Sequence, residues 1–374
     1  MSMEENNREN AEILLKDTIE LYPSVLRKAI AKKFKDDGLV TSNKKDIKDG
    51  CHFPVYSSNS EETIQNTLLD EKFFSHYENI EFEKCYKYSV PLFFELGNCN
   101  LNDLISRLIC VNKITLFDEN RESISTDNTQ TNVFDCIPSF KKSGDYILIK
   151  FLTKQNTFKV EDGGFIPVDI RFPVVISINP TIKIIEIRFD GGKFDADSQI
   201  DFISPIIKHC MGWLKENLQI KLFNVNACNI IDCINNDSTK KAIINRQFMQ
   251  MKSGASADLT ASDNEGNIMP FIGEIRALIQ NHEDIFNRCL ESKKILEEYL
   301  DELEETADYP YIRVKWPNPK KSHEFAVKIN FNYYEGKFIQ MHSMQSSARV
   351  MKERMEYAIE YLFESGSFTK GEEV

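Results

Sequence analysis

Phe325-Ala326-Val327-Lys328-Ile329-Asn330-Phe331-Asn332-Tyr333 alternates apolar and polar residues from Val327 onward, with the small Ala326 in the first polar position. A strand has a period of two, so Phe325, Val327, Ile329, Phe331 and Tyr333 fall on one face and Lys328, Asn330 and Asn332 on the other. The segment before it does the same, with Ile312, Val314 and Trp316 set against Tyr311, Arg313 and Lys315. Glu335-Gly336 reads as a turn into a third strand over 337–342. A final helix over about 344–363 carries Ala348, Met351, Met355, Ile359 and Leu362 on one side. With the preceding helix this gives the order α-β-β-β-α, expected as a three-stranded antiparallel sheet with both helices on its apolar face.

Charge singles out the same region. From Pro310 to Met355 there are nine Lys and Arg against three acids, a local charge of +6, in a chain of net charge −12. The remainder therefore carries −18. A basic module on an acidic body points to a polyanionic partner for that module alone and disfavours indiscriminate nucleic-acid binding elsewhere.

The order of elements and the residues on them resemble a double-stranded RNA-binding domain, over roughly residues 285–365. The loop Pro317-Asn318-Pro319-Lys320-Lys321-Ser322-His323 has the Pro and His that the family carries there. Ser346-Ser347-Ala348-Arg349, with Lys352 one turn on, lies where the family sets a basic cluster at the start of the last helix. The small and apolar stripe through Ala358 to Leu362 continues the likeness. The resemblance implies that Lys320, Lys321 and His323 enter a minor groove, while Arg349 and Lys352 take phosphates across the major groove. The helix N-terminus adds its own attraction for phosphate. The sequence departs from the family at that helix. Gln345, Ser346 and Ser347 replace the usual lysine pair, and the glycine-rich approach is absent. Among the aromatics, Phe325, Phe331 and Trp316 are read as core. Tyr311 and Phe338, with His342, are the candidates for an exposed face.

The rest of the chain reads as a soluble α+β body. At 374 residues with 41% apolar content and 26 Phe it can bury several cores. Residues 9–36 read as two helices split at Pro23. Helices follow near 61–75 and 101–109, with strands near 84–96 and 110–117; 118–135 is polar and reads as a loop. From 144 the period becomes two. YILIKFL, FIPVDIRF, VVISI and KIIEIRF read as separate strands, with a turn at Asn179-Pro180. Ser204-Pro205 reads as the start of a helix that buries Ile206, Cys210, Trp213 and Leu214. A hairpin is expected around Asn264–Asn267, then one long helix to about 305. The expected organisation is multidomain: an α-rich or α+β region over 1–135, a middle α+β domain with an antiparallel sheet over 136–270, and a long helix plus the C-terminal module over 271–374.

No phosphate-binding glycine loop, His-Glu-x-x-His or Gly-x-Ser-x-Gly occurs, so no catalytic residue, metal ligand or cofactor is expected. Nine cysteines without Cys-x-x-Cys spacing fit free thiols in a reducing, cytoplasmic setting. No run approaches the ~18 apolar residues of a membrane span. The expected function is non-enzymatic binding of structured, double-stranded RNA. One alternative is a protein-interaction or scaffold subunit that docks a protein partner through the same module. The other is a metal-dependent nuclease built on Asp169 and Glu186-Ile187-Arg188.

Overall fold

In a computed structural model, the described residues are 3–47, 51–97, 101–111, 113–118, 137–161, 163–191, 196–251, 254–260, 270–306, 308–316, 325–334, 336–344 and 352–374. They form an α+β fold dominated by antiparallel sheet and divide into two compact units. The first is Met1–Leu222 with Ser346–Glu356, and the second is Phe223–Gln345 with Tyr357–Val374. The expected boundaries at 135 and 270 fall inside these units.

The first unit begins with helices α1 (Met3–Glu20) and α2 (Ser24–Asp36), strands β1 (Val40–Thr41) and β2 (Val55–Tyr56), then helices α3 (Ser60–Leu68) and α4 (Phe74–Glu83). Pro23 sits between α1 and α2 with φ −53° and ψ 142°, and its missing N–H and ring keep α1 from running on through it. Leu15, Ile19, Ile30, Phe34, Ile64, Leu68, Phe73 and Tyr77 close one core among these helices. Next come β3 (Tyr88–Glu95), α5 (Leu101–Cys110), β4 (Thr115–Leu116), β5 (Ser139–Ser143), β6 (Tyr146–Glu161), β7 (Gly164–Asn179), β8 (Ile184–Phe189) and α6 (Ala196–Leu218). The strands pair in the order β3-β8-β7-β6-β5-β4, all antiparallel except β4 with β5.

Two sequence expectations are corrected here. FIPVDIRF and VVISI form a single strand, β7, which runs through Pro167 and Pro173. Pairing with β8 begins only at Val175, so both prolines lie where β7 has β6 alone as neighbour, and a missing N–H is tolerated on that side. Helix α6 starts at Ala196 rather than at Ser204, with Pro205 inside it. Its buried residues Ile203, Ile206, Ile207, Cys210 and Leu214 lie on both sides of the proline, so packing holds the helix through it. Trp213 sets its ring edge-on to Phe151 of β6, with centroids 5.6 Å apart. Asn179 makes the expected turn, its Oδ1 accepting from the Thr181 N–H at 3.0 Å.

Charge is also packed inside this unit. Helix α4 presents Glu78, Glu81 and Glu83 to Lys141 of β5, Lys150 of β6 and Arg171 of β7. Arg171 donates from Nε to Glu81 Oε1 at 2.6 Å, and from Nη2 to Glu81 Oε2 at 2.8 Å and Glu78 Oε1 at 3.1 Å. Lys150 Nζ donates to Glu81 Oε2 at 2.8 Å, and Lys141 Nζ to Glu83 Oε1 at 2.7 Å. The Arg171 and Glu81 side chains are fully buried. Burial alone raises the Glu81 carboxyl, but Arg171 and Lys150 overcome this and hold it at about 2.

The second unit holds β9 (Lys221–Asn226), α7 (Ile230–Asn235), β10 (Ile243–Gln250), β11 (Ser256–Thr260), α8 (Pro270–Asn281), α9 (Glu283–Phe286) and α10 (Leu290–Thr306). These are followed by β12 (Asp308–Trp316), β13 (Phe325–Tyr333), β14 (Phe338–Ser343), α11 (Lys352–Glu364) and β15 (Thr369–Glu373). The first residues of β9 and α11 count with the first unit. The order α10-β12-β13-β14-α11 is the one read from sequence, and Gly336 takes φ +76° in the turn after β13.

The sheet is wider than expected. β10 pairs with the outer side of β12, and β11 with β10, which gives the antiparallel order β11-β10-β12-β13-β14. The expected long helix is three helices, interrupted at His282 and at 287–289. α10 buries Leu300 with Ile279, flanked by Ile275, Phe286, Leu296 and Leu303. The helix assigned to the sheet's apolar face thus has its core among its neighbouring helices. On that face lie Ile312, Val314, Val327 and Ile329, all fully buried. Trp316 stacks on Phe325 and meets Tyr361 of α11 edge-on at 6.0 Å. The expected turn at Asn264–Asn267 lies outside the described residues. β11 instead pairs back onto β10 through a turn in which the Met251 N–H donates to the Ala255 carbonyl.

Candidate nucleic-acid interface

The polar face of the second unit's sheet follows from the alternation and from one irregularity. Ile244 is opposite Val314 on the apolar side, yet Arg246 is opposite Arg313 on the polar side. Asn245 is the extra residue of this bulge, and it turns the rest of β10 over. Arg246 and Phe248 therefore join the face that carries Tyr311, Arg313, Lys328 and Asn330. Asn245 Oδ1 accepts from Arg313 Nε at 2.8 Å, which fixes the guanidinium.

Register then lines up two rows. Arg246 is directly opposite Arg313, Arg313 opposite Lys328, and Lys328 opposite His342. Two residues along each strand, Phe248 is opposite Tyr311, Tyr311 opposite Asn330, and Asn330 opposite Gln340. The Phe248 and Tyr311 rings are stacked, 5.4 Å apart and 13° from parallel. Lys328 Nζ lies 3.7 Å from the Tyr311 ring centre. Asn330 Nδ2 donates to Gln340 Oε1 at 2.9 Å.

Asp258 of β11 is the carboxylate of this group. It accepts from Arg246 Nε at 2.8 Å and from the Tyr311 hydroxyl at 3.1 Å. Hydrogen bonding from Arg246 holds its carboxyl below the ordinary value, while burial and Asp258 raise the Tyr311 phenol. Burial, then the nearby Arg246 guanidinium, pull the Lys328 ammonium down. Among the described residues of this group, Asp258 is the one carboxylate beside Arg246, Arg313 and Lys328, which leaves an excess of positive charge on a half-exposed sheet face.

Lys320, Lys321, His323 and Arg349 lie outside the described residues. So does the side chain of Lys352, the first residue of α11. Tyr311 and His342 are on the polar face, as their alternation implied. Phe338 is not exposed: it sits opposite Tyr333, buried, with its ring stacked on Tyr334 at 6.2 Å. Arg246, Phe248 and Asp258 were not singled out from sequence. The bulge at Asn245 breaks the alternation that would have marked β10 as a strand.

The structure does not bring the nuclease carboxylates together. Asp169 is opposite Asn156, whereas Glu186 is opposite Ser177, eight residues further along β7. That separation is about 26 Å of strand. Glu186 is buried and engaged by Arg188 Nη2 at 2.5 Å and the Ser89 hydroxyl at 2.9 Å. Arg188 also reaches Glu356 at 3.2 Å. Among the described residues no group of three or more His, Cys, Asp or Glu is placed to hold a metal ion. No described helix is long and apolar enough to cross a membrane. No protein-family model matches the chain, and no curated protein matches it.

Proposed function

We propose that this protein binds RNA without acting on it chemically, through the C-terminal module. The observation that carries this reading is the row Arg246, Arg313 and Lys328 on three adjacent strands. Like charges directly opposite across strands destabilise a sheet by about 0.2–1 kcal/mol per pair. Two such pairs in succession, offset among the described residues by Asp258, favour an anion on that face. In a chain of net charge −12 the rest of the surface repels a polyanion and confines contact to this module. The resemblance implies a further contact set, Lys320, Lys321, His323, Arg349 and Lys352, which the variants below address separately.

Fluorescence anisotropy with a labelled RNA hairpin tests the reading. Binding is expected to weaken with salt and to fall about tenfold or more in an Arg313→Glu/Lys328→Glu variant. A Lys320→Glu/Lys321→Glu/Arg349→Glu variant separates the second set. Absence of binding at low salt removes the reading.

Docking of a protein partner is the second reading. It is favoured by Leu278, Ile285, Leu290, Ile295 and Tyr299, each more than half exposed on α8, α9 and α10. Such a partner would be lost on Leu290→Lys/Ile295→Lys, with RNA affinity unchanged.

A further inference from the structure

The two rows on the polar sheet face are different in kind. One is cationic, Arg246, Arg313 and Lys328; the other holds rings and an amide, Phe248, Tyr311 and Asn330. They are two residues apart along each strand, about 7 Å at the usual rise. That distance matches the reach from a phosphate to the base of the same nucleotide. A duplex hides its base faces in the stack, so it could use the cationic row and leave the other idle. An unpaired strand offers both its phosphates and the π-faces of its bases.

We infer that the ligand of this face is a single-stranded nucleic-acid segment laid across the strands, with phosphates on the cationic row and bases on the ring row. The inference rests on the RNA-binding reading and narrows it to unpaired nucleotides. The face already holds this arrangement in miniature. Tyr311 is stacked with Phe248 and capped by the Lys328 ammonium 3.7 Å from its ring centre. On binding, the ammonium moves from the ring to a phosphate, and a base takes the ring face it leaves. Gln340, bonded to the Asn330 amide at 2.9 Å, holds that amide to meet a base edge. The bond from Asn245 keeps Arg313 aimed along the cationic row.

The test uses the full chain and anisotropy with three labelled probes: a single-stranded oligo(U) of about 12 nucleotides, a blunt RNA duplex of about 20 base pairs, and that duplex with a single-stranded overhang. Oligo(U) and the overhang duplex are expected to bind at least about tenfold tighter than the blunt duplex. The slope of log affinity against log salt for oligo(U) is expected near about −2, for three phosphates. Tyr311→Leu should cost about tenfold on oligo(U) and nothing on the blunt duplex. Tyr311→Phe, which keeps the ring and loses the bond to Asp258, should bind oligo(U) like the parent, and circular dichroism checks that both variants are folded. Equal binding of blunt and overhang duplex, with Tyr311→Leu unchanged, overturns the inference and leaves the RNA reading standing. Failure of the unaltered chain to bind any of the three probes overturns both.

Discussion

Replacing Glu81 by Gln keeps its shape and removes one charge from the buried cluster of α4, β5, β6 and β7. Three cations, Arg171, Lys150 and Lys141, face three carboxylates, Glu78, Glu81 and Glu83, so the cluster is neutral as built. In the variant Arg171 and Lys150, both buried, lose their shared carboxylate. Leaving one partner of a buried pair uncompensated costs about 3–5 kcal/mol. The Glu81 carboxyl gives a similar figure independently. Its fall from 4.5 to about 2 corresponds to roughly 3 kcal/mol of preference for the charged form. In a unit of this size that lowers the melting temperature by about 6–20 °C. The chain has two tryptophans, Trp213 in the first unit and Trp316 in the second. A Trp316→Phe background therefore lets fluorescence report on the first unit alone during urea unfolding. Adding Lys150→Met to Glu81→Gln restores neutrality, and the double variant should be more stable than the sum of the two single losses predicts. A loss below about 1 kcal/mol for Glu81→Gln, or simple additivity in the double variant, would refute the reasoning.

Two further outcomes follow from the same kind of accounting. Because the folded Glu81 carboxyl lies below its ordinary value, its contribution is complete above about pH 4.5 and is lost as the pH falls toward 2. Urea midpoints of the first unit should decline across that window, and less steeply in Glu81→Gln; parallel declines would contradict this. In the second unit, a Cβ on Gly371 would meet Asn224 Oδ1 at 2.1 Å, the atom that accepts from the Glu372 N–H at 2.7 Å. Gly371→Ala is expected to cost about 1–3 kcal/mol locally. It should speed amide hydrogen exchange in the β9–β15 pair, and unchanged protection of residues 369–373 would count against the packing described.

The resemblance to a double-stranded RNA-binding domain was carried by local order, and that order is present in the fold. Helix, three strands and helix follow each other at the expected places because each is marked by its own period and turn. The width of the sheet was not legible, since β10 and β11 come from residues 243–260, far upstream of β12. The Asn245 bulge also disguised β10 as irregular chain. For the same reason the sequence offered Tyr311 and His342 but not Arg246, Phe248 or Asp258. Phe338 failed as an exposed ring because alternation alone does not say what covers a face.

Features legible along the chain are those set within a few residues of one another. The alternation of β12 and β13, the stop at Pro23, the turn at Asn179 and the buried stripe of α6 are all of this kind. They follow from steric and hydrophobic rules acting along one segment. Which strands lie side by side and which charges meet depends instead on the folded arrangement of distant segments. Arg171 finds Glu81 across ninety positions of chain, and Arg246 meets Arg313 across sixty-seven. Neither partner leaves a mark near the other in the sequence, because register and counter-ions are fixed by the packing of distant segments and not by local periodicity.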